Sequence, residues 1–94
     1  DIIVTRHTAL VTYLYEIGLV VEGDEVVILD HATPDEVRGQ HVIGVLPLRL
    51  AALADSVTEI PLALTPEDRG VELPIERVRE IAGDPVTYRV TVLV

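Results

Sequence analysis

Two short polar clusters in this sequence have the residue types for chemistry. Thr5-Arg6-His7-Thr8 and Asp30-His31 each follow directly on an apolar run, Ile2-Ile3-Val4 and Val26-Val27-Ile28-Leu29. Guanidinium is a planar, permanently charged donor that grips phosphate or carboxylate through two parallel hydrogen bonds. Imidazole changes protonation near neutral pH and therefore moves protons. A third cluster, Gly44-Val45-Leu46-Pro47, hands over to Arg49, and Arg69 lies in the later stretch Thr65-Pro66-Glu67-Asp68-Arg69-Gly70. Together these residues suggest an anion pocket in which Arg6, Arg49 and Arg69 hold phosphates and His7 or His31 transfers protons. The plainer alternative is loop polarity with Thr5, Thr8 and Thr33 as caps. It applies with more force to His31, Arg49 and Arg69 than to Arg6 and His7. His41, which precedes the third apolar run, reads as structural.

Such residues need elements to position them. Ile2-Ile3-Val4-Thr5, Val26-Val27-Ile28-Leu29, Val42-Ile43-Gly44-Val45-Leu46 and Glu59-Ile60-Pro61-Leu62 are near-continuous apolar runs, the pattern of strands covered on both faces in a parallel sheet. Between the first two, Leu10, Leu14 and Ile17 recur at helical spacing over Thr8 to Leu19, and Gly18 can end the helix. Thr33-Pro34-Asp35-Glu36 has the order of a capping box with proline in the first turn, opening a short helix that stops at Gly39. Leu48 to Asp55 reads as a short, almost wholly apolar buried helix ending near Ser56. Pro74 to Ala82 carries Ile75, Val78 and Ile81 on one face. Pro85 to Val94 alternates weakly as a last strand of open direction. The whole is one domain over residues 1–94, an α/β layer fold with a largely parallel sheet of about five strands and helices on both faces. In such sheets ligands bind outside the carboxyl ends of the strands, where the polar clusters fall.

Composition narrows the chemistry. The 94 residues hold 16 acidic and 7 basic groups for a formal net charge of −9, and all seven basic residues are arginine. That field disfavours long nucleic acid and anionic membranes as partners but leaves room for a short anionic ligand held by two or three arginines. Cysteine is absent, which removes disulfides, thiolate metal sites and a cysteine nucleophile. Neither GxGxxG nor GxxxxGK[ST] occurs, and no HExxH or paired-histidine spacing fixes a zinc site. No metal or cofactor is expected. The single serine, Ser56, lies away from the predicted site edge, against a Ser-His-Asp hydrolase. The longest apolar stretch, Val42 to Leu48, is far below the roughly 20 residues that span a bilayer. A cytoplasmic protein with a processed or trimmed N-terminus is the expectation.

The motifs Val4-Thr5-Arg6-His7-Thr8, Asp30-His31-Ala32-Thr33-Pro34, Val42-Ile43-Gly44-Val45-Leu46-Pro47-Leu48 with Leu50-Ala51-Ala52, Pro61-Leu62 and Pro66-Glu67-Asp68-Arg69-Gly70-Val71-Glu72-Leu73 resemble, in order and spacing, the CRISPR-associated Csx-sixteen family. The resemblance spans roughly Ile2 to Val90. It implies a fold similar to the CRISPR-associated Rossmann-like domain, used as a homodimer. It also implies ring-nuclease activity, the degradation of the cyclic oligoadenylate messenger of type III CRISPR systems. Carried onto this chain, Thr5, Arg6 and His7 would be catalytic. Thr8, His31, Gly44, Leu46, Pro47, Arg49 and Arg69 would contact the ligand. The chain departs from the family pattern at Arg49, where histidine is common and where a permanently protonated arginine cannot shuttle a proton.

Four functions follow for testing. The first is metal-independent cleavage of cyclic oligoadenylate, most simply the tetra-adenylate, by a ribose 2′-hydroxyl. The second keeps the binding without cleavage, as a sponge or sensor. A histidine phosphatase shares an Arg-His motif after its first strand but needs a late second histidine, and none follows His41. A structural adaptor is the fourth. Because 94 residues can hardly enclose a four-nucleotide ring, the first two readings call for a two-fold dimer.

Overall fold

The computed structural model describes residues 2–94. Strand β1 (Ile2–Val4) leads into α1 (Thr8–Glu16), followed by β2 (Val27–Leu29), α2 (Pro34–Val37), β3 (His41–Gly44), α3 (Leu48–Ala51), β4 (Ser56–Glu59), α4 (Ile75–Ile81) and β5 (Val86–Tyr88). A short 3₁₀ turn, Pro66–Asp68, interrupts the connection between β4 and α4. The strands form one sheet in the order β2-β1-β3-β4-β5. The first four are parallel and β5 runs antiparallel to β4. This is a small α/β sheet of Rossmann-like type, and its chain reverses direction of travel between β1 and β3.

The period of two along each strand divides the core into two layers. Ile3 and Ile43 face α1 and α4, packing with Leu10, Leu14, Val78 and Ile81. Ile2, Val42 and Val57 face α2 and α3, packing with Val37, Leu50 and Ala51. The helices therefore cover both faces. Glu16 and Arg79 tie α1 to α4 through a bidentate ion pair, with Arg79 Nε 3.0 Å from the carboxylate. Gly18, at a positive φ of 76°, reverses the chain after α1, as its position in the sequence predicts.

Several boundaries differ from the sequence expectation. The fourth strand is Ser56–Glu59, three residues earlier than the apolar run 59–62, because Ser56 and Thr58 alternate with Val57 on a strand whose polar side chains are paired. His41 Nδ1 lies 2.6 Å from Ser56 Oγ, His41 Nε2 lies 3.1 Å from Thr58 Oγ1, and Thr58 Oγ1 lies 2.8 Å from Thr87 Oγ1. Pro61 has no N–H to continue a ladder. Ser56 thus opens a strand instead of ending a helix, and His41 bridges β3 to β4. Helix α3 stops at Ala51, and Leu48 is 76% exposed, so only Leu50 and Ala51 are buried there. β2 lies at the sheet edge, which leaves Val27 and Ile28 about half exposed instead of covered. The last strand is confined to three exposed residues, Val86–Tyr88. Among the described residues no helix is long and apolar enough to cross a membrane.

Candidate functional site

The carboxyl ends of β1, β2, β3 and β4 open into one cleft of about 660 Å³. That is within the roughly 300–1,000 Å³ typical of small-molecule sites. Its position outside the β1/β3 reversal is where a parallel sheet leaves a natural crevice. Each strand end contributes polar groups: Thr5, Arg6 and His7 after β1, Asp30 and His31 after β2, Arg49 beyond β3, and Glu59 closing β4. The walls between them are apolar, built from Leu10, Leu46, Pro47, Ile60, Leu62 and Leu64.

Local chemistry positions these side chains. Thr5 Oγ1 accepts a hydrogen bond from the His7 backbone N–H at 3.1 Å, closing the turn that carries Arg6 outward. Thr5 N–H donates to the Leu29 carbonyl at 3.0 Å, which aligns the ends of β1 and β2. Arg6 then reaches across, with Nη2 3.0 Å from His31 Nε2. A guanidinium can only donate, so the imidazole nitrogen it meets accepts. His7 is the N-cap of α1 and makes no side-chain capping bond, so first-turn N–H groups of α1 remain for solvent or a ligand beside the arginine.

The floor of the cleft requires glycine. Gly44 ends β3 with φ of +144°, and a Cβ built there would lie 2.2 Å from the Val4 carbonyl oxygen. β1 and β3 pair directly at this point, Val4 opposite Gly44, so any side chain would push the two central strands apart.

The cleft brings together Thr5, Arg6, His7, His31, Gly44, Leu46, Pro47 and Arg49. It does not include Thr8 or Arg69. Thr8 is the exposed first residue of α1, and Arg69 is an exposed residue just past the 3₁₀ turn. The cation that matters near that turn is Arg77. Asp68 accepts from Arg77 Nε at 3.0 Å and Nη2 at 2.8 Å, and from the Thr65 backbone N–H at 2.9 Å. Arg77 first, and the Thr65 amide second, hold the Asp68 carboxyl well below the usual carboxylate range. Among the described residues no three histidine, aspartate or glutamate side chains converge to hold a metal.

Glu59 is the cleft residue that sequence reasoning passes over. Placed at the start of a strand over 59–62 it would sit on the far edge of the sheet. The Ser56-Val57-Thr58-Glu59 alternation stopped by Pro61 is the signal that places it at the carboxyl end.

No curated protein and no solved structure matches this chain. Residues 2–91 match the family described as "Putative CRISPR-associated protein (Cas_VVA1548)", and the chain therefore belongs to that CRISPR-associated family.

Proposed function

We propose that this protein is a ring nuclease that binds cyclic oligoadenylate, most simply cyclic tetra-adenylate, and opens it through attack by a ribose 2′-hydroxyl, ending a type III CRISPR signal in the cytoplasm. The observation that carries the reading is the carboxyl-edge cleft of a CRISPR-associated chain, lined by Arg6 and His7 from the β1–α1 connection and by Arg49 from α3. Arg6 and Arg49 supply charge-assisted donors for phosphoryl oxygens, and the N-terminus of α1 adds N–H groups. Thr5 orients a phosphate and His7 acts as acid or base. The 2′-oxygen forms a bond to phosphorus as the bond from phosphorus to the 5′-oxygen breaks. The products are a 2′,3′-cyclic phosphate and a 5′-hydroxyl.

A cleft of 660 Å³ suits part of a four-nucleotide ring, not all of it. A homodimer would offer two such clefts to a ligand of matching two-fold symmetry. The test is incubation of labelled cyclic tetra-adenylate with the protein in EDTA. Linear product ending in a cyclic phosphate is the expected result. Tight binding with the ring recovered intact would instead make the protein a sponge or sensor, and no binding would remove the reading.

A further inference from the structure

Beside the cleft runs a second, smaller groove of about 230 Å³, and the two share Val45, Leu46 and Glu59 as a common wall. The groove lies on the α2/α3 face of the sheet. Val57 packs there with Leu50 and Ala51, and Tyr88 stands opposite Val57 on β5. Helix α3 is a single turn ending at Ala51, and Tyr88 stays about half exposed. Leu48 and Val90 complete a lining whose charged member is Glu59. The arginines Arg6 and Arg49 belong to the neighbouring cleft. Phosphates are therefore drawn to the cleft, while the groove suits an uncharged, flat group attached to them.

The register sets two complementary groups on this face. Val57 pairs with Tyr88 and Glu59 with Val86, so by the period of two Glu59 and Tyr88 point to the same side as Val57. They are diagonal neighbours, roughly 7–8 Å apart, a spacing that lets one planar heterocycle lie against the phenol ring and turn its edge to the carboxylate. Glu59 is partly buried, and its side chain forms no hydrogen bond or ion pair with another described residue. Other carboxylates are engaged: Glu16 with Arg79, Asp35 with Arg38, Asp68 and Glu80 with Arg77, Glu36 with the Thr33 amide. A partly desolvated carboxylate without a partner costs free energy until a ligand supplies a donor. It repels phosphate and accepts from an amino group.

We infer that this groove is the subsite for one adenine of the ring, an inference that rests on the proposed cyclic oligoadenylate ligand. Tyr88 stacks on the base, the apolar walls exclude water from its faces, and Glu59 accepts a hydrogen bond from the 6-amino group. The phosphate attached to that nucleoside then lies in the adjoining cleft. Glu59 is a specificity residue in this arrangement, and the chemistry at phosphorus does not pass through it.

The experiment measures affinity for two 2′-deoxy rings, which lack the attacking hydroxyl: the tetra-adenylate, and its analogue in which purine without the 6-amino group replaces every adenine. Wild type should prefer the adenine ring by about tenfold or more, because a site built to meet a donor rejects the analogue that lacks it. In Glu59→Leu the preference should fall to within about threefold, and Glu59→Gln, which keeps an accepting oxygen, should retain part of it. Glu59→Leu should bind the purine ring at least as tightly as wild type does, which also shows that the variant is folded. Tyr88→Ala should weaken both rings alike and Tyr88→Phe neither, since stacking uses the ring face that purine and adenine share. Wild-type preference retained in Glu59→Leu overturns the subsite, as does a wild type that binds both rings equally. A wild type that prefers the adenine ring but never cleaves the ribose form supports the subsite and removes the nuclease half of the reading. Binding of neither ring removes the cyclic oligoadenylate reading and the subsite with it.

Discussion

Arg6 and His31 meet across the ends of two strands, and this contact gives the guanidinium a defined direction before any ligand arrives. A phosphate entering the cleft would find Arg6 already turned toward the β2 side, while His7 stays free of side-chain capping duty. These two residues therefore separate experimentally. Replacing His7 with alanine should lower the cleavage rate by about 10²-fold or more and leave binding of the 2′-deoxy ring nearly intact. Arg6→Ala should weaken both, because a charge-assisted donor acts on the bound phosphate as well as on the developing charge. Equal rates for His7→Ala and wild type would make the histidine structural. At this scale the site was legible where polar residues follow an apolar run without interruption, as with Arg6, His7 and His31. Arg69 follows a capping motif instead of a strand, and nothing local to Thr65-Pro66-Glu67-Asp68 tells whether its flanking arginine or the distant Arg77 does the binding. The structure answers with Arg77, whose partner is a carboxylate of the protein itself.

The elements are pinned by a few such contacts, and the Asp68–Arg77 pair is the clearest. It joins the 3₁₀ turn to α4, with the Asp68 side chain 10% and the Arg77 side chain 27% exposed. The depressed Asp68 carboxyl contributes stability that is fully present above the unfolded value, about 3.9, and is lost as pH falls through the lower folded value. Thermal melts should therefore show wild type above Asp68→Asn from neutral pH down to about pH 4, with the gap narrowing on further acidification. A gap independent of pH would mean that the carboxylate charge contributes nothing to the pair. Element order was readable because Ile2-Ile3, Val42-Ile43 and the Leu10/Leu14 spacing report burial directly. Element bounds were harder where pairing replaces apolarity. β4 is held by His41, Ser56, Thr58 and Thr87 side chains that a hydrophobicity pattern cannot see, and its three-residue displacement is what hid Glu59. The edge position of β2 depends on the order of all five strands, a property no local run of residues carries.

The whole molecule has an accessible surface of 6172 Å², more than the roughly 5,400 Å² expected of a compact 10.3 kDa chain. The excess has an apolar character. Val92 is 66% exposed and Leu93 95%, beyond an antiparallel β5 whose Val86 and Tyr88 are also exposed. The chain's mean hydropathy is +0.41 despite its net charge of −9, so apolar residues outweigh its charged ones in the average. A second copy is the partner that the ring-nuclease reading requires, since one cleft suits only part of the ring, and a two-fold axis beside β5 would cover both copies of this surface at once. Light scattering should accordingly give twice the 10.3 kDa chain mass. Leu93→Asp should shift that mass toward the monomer and weaken ring binding, although residue 93 lies outside the cleft-lining set. A variant that becomes monomeric yet binds the ring as tightly as wild type would show that one cleft suffices. A variant that remains dimeric would place the two-fold contact on another face.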